Sequence, residues 1–191
     1  MDAAATVLYS VSIGAWVVFE LILIIRDFVR GKGSTERDRG SRIVIRLALY
    51  ATLIPAVVSP AVAPALRIPH HTLVVLAGVI VIWVGLAIRL WAVVTLGGSF
   101  RTTIEVDAGQ SVVSRGPYRW IRHPSYTGLL LILVGVGIGI DNWLAVAVCF
   151  ILPPIALLYR IRWEEAELIR VLGDSYRAYE SRTKRLIPGI W

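Results

Sequence analysis

Long apolar runs constrain this chain more than any other feature. They fall at residues 4–25, 43–66, 73–96, 126–140 and 143–161. A helix needs about 20 mainly apolar residues to cross the hydrocarbon layer of a membrane. The first three runs reach that length, and the last two approach it. Inside lipid a segment must satisfy its own backbone hydrogen bonds, which a helix does and a lone strand does not. The fold expected is therefore all-α, an integral membrane helical bundle of about five transmembrane helices. Hydrophobic residues make up 57% of the chain and charged ones 17%, against about 45–50% and about 25% in a soluble domain. Pro55, Pro60 and Pro64 should kink the second helix or end it early. Asp141-Asn142, between the last two runs, reads as a tight turn joining antiparallel helices. Met1-Asp2-Ala3 lacks the basic start of a signal peptide, so the first run is expected to stay in the mature protein.

Orientation follows from where the bases lie. Arg26, Arg30, Lys32, Arg37, Arg39 and Arg42 crowd the first loop, whereas the second carries Arg67. Arg101, Arg115, Arg119 and Arg122 occupy the third, the turn at Asp141-Asn142 has none, and the tail is rich from Arg160 to Arg185. This alternation predicts an N-terminus outside, with the C-terminus and both polar segments in the cytoplasm. The net charge of +7 sits beside apolar segments, as attraction to anionic headgroups requires. No nucleic-acid-binding pattern accompanies it, so the partner expected is the lipid bilayer and not nucleic acid. Cys149 is the only cysteine and lies inside an apolar run. Disulfide, zinc and CxxC redox sites are thus unsupported, and no metal is expected. A length of 191 residues suits one domain. Within it, residues 1–96 would supply three helices as a substrate-side scaffold, and residues 97–191 the catalytic region with a transmembrane hairpin. Residues 31–39 read as a solvated positive loop. Gly135 and Gly139 form a GxxxG step, which favours close helix packing, more simply within the chain than between chains.

Chemistry concentrates in residues 114–128, which contain Arg115, Gly116, Pro117, Tyr118, Arg119, Arg122, His123, Pro124, Tyr126 and Gly128. Gly116-Pro117 marks a turn. Pro124 suits the first turn of the next helix, where a missing N–H matters little. Arg119, Arg122 and His123 would then gather at the positive end of a helix dipole, a place suited to an anion. A plain positive flank with an aromatic belt explains the charges equally well, but it does not require His123-Pro124 or the spacing of Tyr126 and Gly128. Glu164-Glu165 is the second feature, at the end of the last run. Arg160 lies four residues before Glu164, and a helical salt bridge of about 0.3–0.5 kcal/mol is the simple account. Together the two features set cations and an imidazole on one element and carboxylates on another, as a zwitterionic ligand requires.

The ordered set Arg122-His123-Pro124-Ser125-Tyr126-Thr127-Gly128, an apolar hairpin, then Glu164-Glu165 resembles the isoprenylcysteine carboxyl methyltransferase family. Gly98-Ser99-Phe100, the lead-in Ser114-Arg115-Gly116-Pro117-Tyr118, the segment from Leu172 to Tyr179 and Ile187-Pro188-Gly189 extend the likeness across residues 97–191. The resemblance implies a membrane-bound methyltransferase that uses S-adenosylmethionine and esterifies the carboxylate of a lipophilic or prenylated acceptor. It implies His123, Tyr126, Gly128, Tyr118, Glu164 and Glu165 on the cofactor side. Arg119 or Arg122 is implied to orient the acceptor carboxylate by a forked contact, with Glu165 in the catalytic set. One departure stands out. Eukaryotic members usually carry a histidine just after the GSxF-like element, where this chain reads Phe100-Arg101-Thr102-Thr103. That points to an acceptor other than prenylcysteine, such as a small lipophilic acid, a thiol or a lipid headgroup. The RHPxY run also occurs in sterol reductases, so a reductase using a nicotinamide cofactor is one alternative reading. A non-enzymatic membrane protein is another.

Charged residues inside apolar runs are costly and often functional. Glu20 and Arg46 are expected to pair across helices or to extend to the membrane edge; Arg89, also near a cytoplasmic helix end, could reach the active-site loop, though that is the less favoured reading. His70 and His71 read as loop residues on the outer side.

Overall fold

A computed structural model describes residues 3–29, 41–69, 71–100 and 111–191. The linker 31–39, His70 and Arg101-Thr102-Thr103 fall outside the described residues, as does the side chain of Arg46. Among the described residues six α-helices follow in order: α1 (Ala3–Val29), α2 (Ser41–Val62), α3 (His71–Leu96), α4 (Pro124–Gly139), α5 (Trp143–Leu172) and α6 (Asp174–Glu180). Among the described residues, extended pairing is limited to two isolated bridges. By length and composition α1, α3 with its following turn, and α5 suit a membrane crossing, while Leu47–Val62 within α2 and Pro124–Gly139 are shorter apolar helices. Val7, Val11, Val18 and Ile22 on α1 and Ile80 and Val94 on α3 are exposed, as helices apolar on all sides are when lipid surrounds them. The chain is an integral membrane helical protein.

The most extensive helix pair is α3 with α4. Glycines permit it. A Cβ built on Gly85 would lie 2.6 Å from the Gly128 carbonyl oxygen, and one on Gly78 2.7 Å from that of Gly135. The backbones therefore touch, and the GxxxG step at Gly135 and Gly139 packs inside the molecule. Trp16, Ile82, Leu86, Leu129, Ile132, Leu133 and Val136 form the main core between α1, α3 and α4. The Tyr9 hydroxyl donates to the Val136 carbonyl at 2.7 Å and ties α1 to α4.

The second helix ends early, as its prolines lead one to expect: it stops at Val62, and Pro64–Leu66 forms a separate 3-10 turn. The residue before a proline is pushed out of helical backbone, and Ala63 accordingly has φ −134° and ψ 59°. Pro55 and Pro60 are accommodated inside α2. Other expectations change. The fifth span continues beyond residue 161, since α5 runs unbroken for 30 residues through Glu164-Glu165. It stops at Gly173, whose φ of 56° continues no right-handed helix. His71 is no loop residue. It opens α3, and its Nδ1 lies 2.6 Å from Asp141 Oδ2, with Arg67 Nε at 3.5 Å. Asn142 caps α5 by accepting from the Leu144 amide at 2.9 Å. Glu20 pairs with Arg89.

Candidate functional site

The ends of four elements converge where α4 begins. Gly116–Arg119 makes a 3-10 turn, α4 starts at Pro124 behind His123, α5 brings Glu164 and Glu165, and the tail after α6 returns alongside. That return is held by backbone bonds. The Arg122 amide donates to the Lys184 carbonyl at 2.7 Å, the His123 amide to that of Arg185 at 3.0 Å, and the Lys184 amide to that of Trp120 at 3.2 Å. The Thr127 hydroxyl adds a bond to the Leu186 carbonyl at 2.8 Å. Residues 183–186 thus form one wall of the site.

Glu165 is the hub. Its side chain is 5% exposed. Oε1 accepts from Arg122 Nε at 2.7 Å and lies 3.2 Å from His123 Nε2, while Oε2 accepts from Arg185 Nε at 2.9 Å. Arg122 is spent in the same way, donating through Nη1 to the carbonyls of Glu180 at 3.1 Å and Thr183 at 2.5 Å. Glu164 differs, with a side chain 28% exposed. Its Oε2 accepts from the Tyr126 hydroxyl at 2.5 Å, and that hydroxyl accepts from Arg160 Nε at 2.6 Å. The rings of His123 and Tyr126 stack, 5.5 Å apart and 15° from parallel.

Tyrosines line the remaining side. The Tyr179 hydroxyl donates to the Tyr118 carbonyl at 2.7 Å, and burial pushes its phenol up to about 12. Burial, reinforced by the negative charge of Glu164, pushes the Tyr118 phenol further up. The Tyr176 hydroxyl is buried with no hydrogen-bond partner among the described residues, and after burial the charges of Glu165 and Glu164 raise its phenol most. Arg185, in turn, is held firmly protonated by its bond to Glu165.

Of the residues singled out in the sequence, Arg122, His123, Tyr126, Glu164 and Glu165 come together directly, with Tyr118 beside them. Gly128 does not join them: it faces α3, where its missing Cβ lets Gly85 and Arg89 approach. Arg119 does not join them either. Its exposed guanidinium stacks 3.8 Å from the Trp120 ring centroid. Sequence reasoning did not single out Thr183 or Arg185. They sit in a stretch that reads as a basic tail, and the backbone pairing of Lys184 and Arg185 with Trp120–His123 brings them in.

Comparison with known proteins identifies relatives of this chain. The isoprenylcysteine carboxyl methyltransferase (ICMT) family profile matches residues 76–170. Protein-S-isoprenylcysteine O-methyltransferase A of Arabidopsis thaliana is 30% identical over 146 residues, covering 75% of this chain and 73% of that protein. The chain belongs to the isoprenylcysteine carboxyl methyltransferase family. The Xenopus laevis protein-S-isoprenylcysteine O-methyltransferase is 26% identical over 146 residues, covering 75% of this chain and 50% of its own. A solved structure of the eukaryotic intramembrane Ras methyltransferase ICMT superposes with a TM-score of 0.63 at 27% identity, covering 76% of this chain and 52% of that one. The chain therefore spans from about half to three quarters of the length of these relatives. Both halves of the site, the RHPxY segment and Glu164-Glu165, fall within the matched residues.

Proposed function

We propose that the chain is a membrane methyltransferase that binds S-adenosylmethionine at this cluster and esterifies a carboxylate on a lipophilic acceptor. The carrying observation is the unequal state of two adjacent carboxylates beside an unpartnered buried hydroxyl. Glu165 is consumed by two guanidiniums and an imidazole, whereas Glu164 is partly open and the Tyr176 hydroxyl is unpaired among the described residues. A zwitterionic nucleoside ligand carries the ammonium and hydroxyl groups such acceptors take. Glu164 would hold them, Tyr126 would hold Glu164, and Arg160 would orient Tyr126. Arg185, one third exposed, is the cluster's accessible cation for the ligand's carboxylate. Bound there, the cofactor supplies a methyl group on a cationic sulfur, so an acceptor carboxylate needs no strong base. The protein's task is alignment and exclusion of water. Glu165 and Arg122 serve as scaffold, and Arg119 lies outside the set.

A small apolar crevice of about 20 Å³ opens between α2, α4 and α5, and a lipophilic acceptor would widen it on entry. Ala48, Leu49 and Thr52 of α2 line it, facing Leu129 and Leu133 of α4 and Pro153 and Leu157 of α5. Helix neighbours at three- and four-residue steps share a face. Leu157 therefore continues to Arg160 and Glu164 along α5, and Leu129 continues to Tyr126 along α4. An acceptor chain lying in the crevice would present its carboxylate toward the cluster, entering sideways from the bilayer. The distribution of bases puts this end at the cytoplasmic face.

Isothermal titration of the detergent-purified chain with S-adenosylhomocysteine, beside a dinucleotide control, tests the reading. Glu164→Gln is expected to weaken binding by about tenfold. No binding by folded wild-type protein, or binding of the dinucleotide instead, would overturn it.

A further inference from the structure

A second buried charge network lies beneath the cluster, and the cofactor site does not use it. Arg89, two turns before the end of α3, is 6% exposed. Its Nε and Nη2 fork onto Glu20 Oε1 and Oε2 of α1 at 2.7 and 2.9 Å, and Trp16 Nε1 donates to the same Oε1 at 3.2 Å. Its Nη1 reaches the other way, to the Ser125 carbonyl at 3.0 Å and the Ser125 hydroxyl at 2.8 Å. One guanidinium therefore joins α1, α3 and the first turn of α4.

Stability alone is a poor reason for this arrangement. Charges within membrane helices are expensive, and a buried ion pair is often no more stabilising than apolar residues of equal volume. A guanidinium adds direction, because its N–H groups are fixed in one plane. Here they set where α4 begins relative to α1 and α3. Ser125 adjoins Tyr126 and lies two residues after His123, so a shift of Ser125 moves both rings. The contact between Gly85 and Gly128 brings the helices close enough, since a Cβ on Gly128 would stand 2.8 Å from Arg89 Cβ.

We propose that the Glu20–Arg89–Ser125 chain is a positioning device that holds the first turn of α4, so that His123 and Tyr126 stand in binding geometry for the cofactor. It rests on the cofactor reading above for its purpose, but its mechanical part can be tested separately. Arg89→Lys keeps a charge for Glu20 without the fork. The double exchange Glu20→Arg with Arg89→Glu rebuilds an α1–α3 ion pair but puts no donor on Ser125. Full-length chains in detergent are compared with Arg89→Gln by Tm, by S-adenosylhomocysteine affinity and by hydrogen exchange of the amides at residues 123–129. The exchanged pair is expected to recover most of the Tm lost in Arg89→Gln. It should still bind about tenfold more weakly than wild type and exchange about tenfold faster at residues 123–129. Arg89→Lys should show the same split if the exchanged pair does not fold. Affinity and exchange returning together with Tm would overturn the proposal and leave the network merely structural. Should wild-type protein bind no S-adenosylhomocysteine, the cofactor reading falls. Faster exchange at residues 123–129 in the stable variants would then still uphold the tether, and unchanged exchange would overturn it.

Discussion

Replacing Glu165 by glutamine separates its structural work from that of its neighbour. In the wild type the carboxylate accepts from Arg122 Nε at 2.7 Å and from Arg185 Nε at 2.9 Å, with His123 Nε2 at 3.2 Å. The amide of a glutamine turns one acceptor into a donor, which then meets guanidinium N–H groups. Arg122, with a side chain 6% exposed, loses its close anion and keeps only the Glu180 carboxylate, 3.7 Å from its Nη2. Breaking a buried pair in this way costs about 3–5 kcal/mol. Arg185 is one third exposed, and its share is below about 1 kcal/mol. At about 2–4 °C per kcal/mol for a chain of this size, Tm should fall by about 6–20 °C. Tryptophan fluorescence of the detergent-solubilised protein during heating reads this directly. Glu164→Gln is the control: it still accepts from Tyr126 and should move Tm by no more than about 2–4 °C. A Glu165→Gln protein melting within about 2 °C of wild type, or equal losses for the two substitutions, would refute the assignment of Glu165 as the buried hub.

Two further substitutions probe the surroundings. Gly128→Ala puts a Cβ 2.6 Å from the Gly85 carbonyl oxygen and 2.8 Å from the Arg89 amide nitrogen, so α3 and α4 must part, costing about 1–3 kcal/mol in thermal or denaturant unfolding. Arg119→Ala removes an exposed cation–π contact of about 0.5–1 kcal/mol, and S-adenosylhomocysteine affinity should stay within about twofold of wild type; a tenfold loss would place Arg119 at the cofactor after all.

Much of this was legible in order along the chain, because its causes are local. Apolar runs of membrane-spanning length, the turn at Asp141-Asn142, Pro124 at a helix start and Gly173 at a helix end each depend on a few neighbouring residues. The ordered RHPxY and Glu164-Glu165 set pointed to the family for the same reason. Tertiary structure decided which of two adjacent glutamates is sealed, because neighbours on a helix point about 100° apart and only the packed tail shows which direction is inward. It also gave Glu20 the partner Arg89, bonded Arg122 to Glu165, left Arg119 at the surface, and bonded Arg185, from a stretch that reads as a plain basic tail, to Glu165. Those outcomes depend on how closely α3 and α4 approach and where the chain returns after α6, and such distances are set by contacts between residues far apart in sequence.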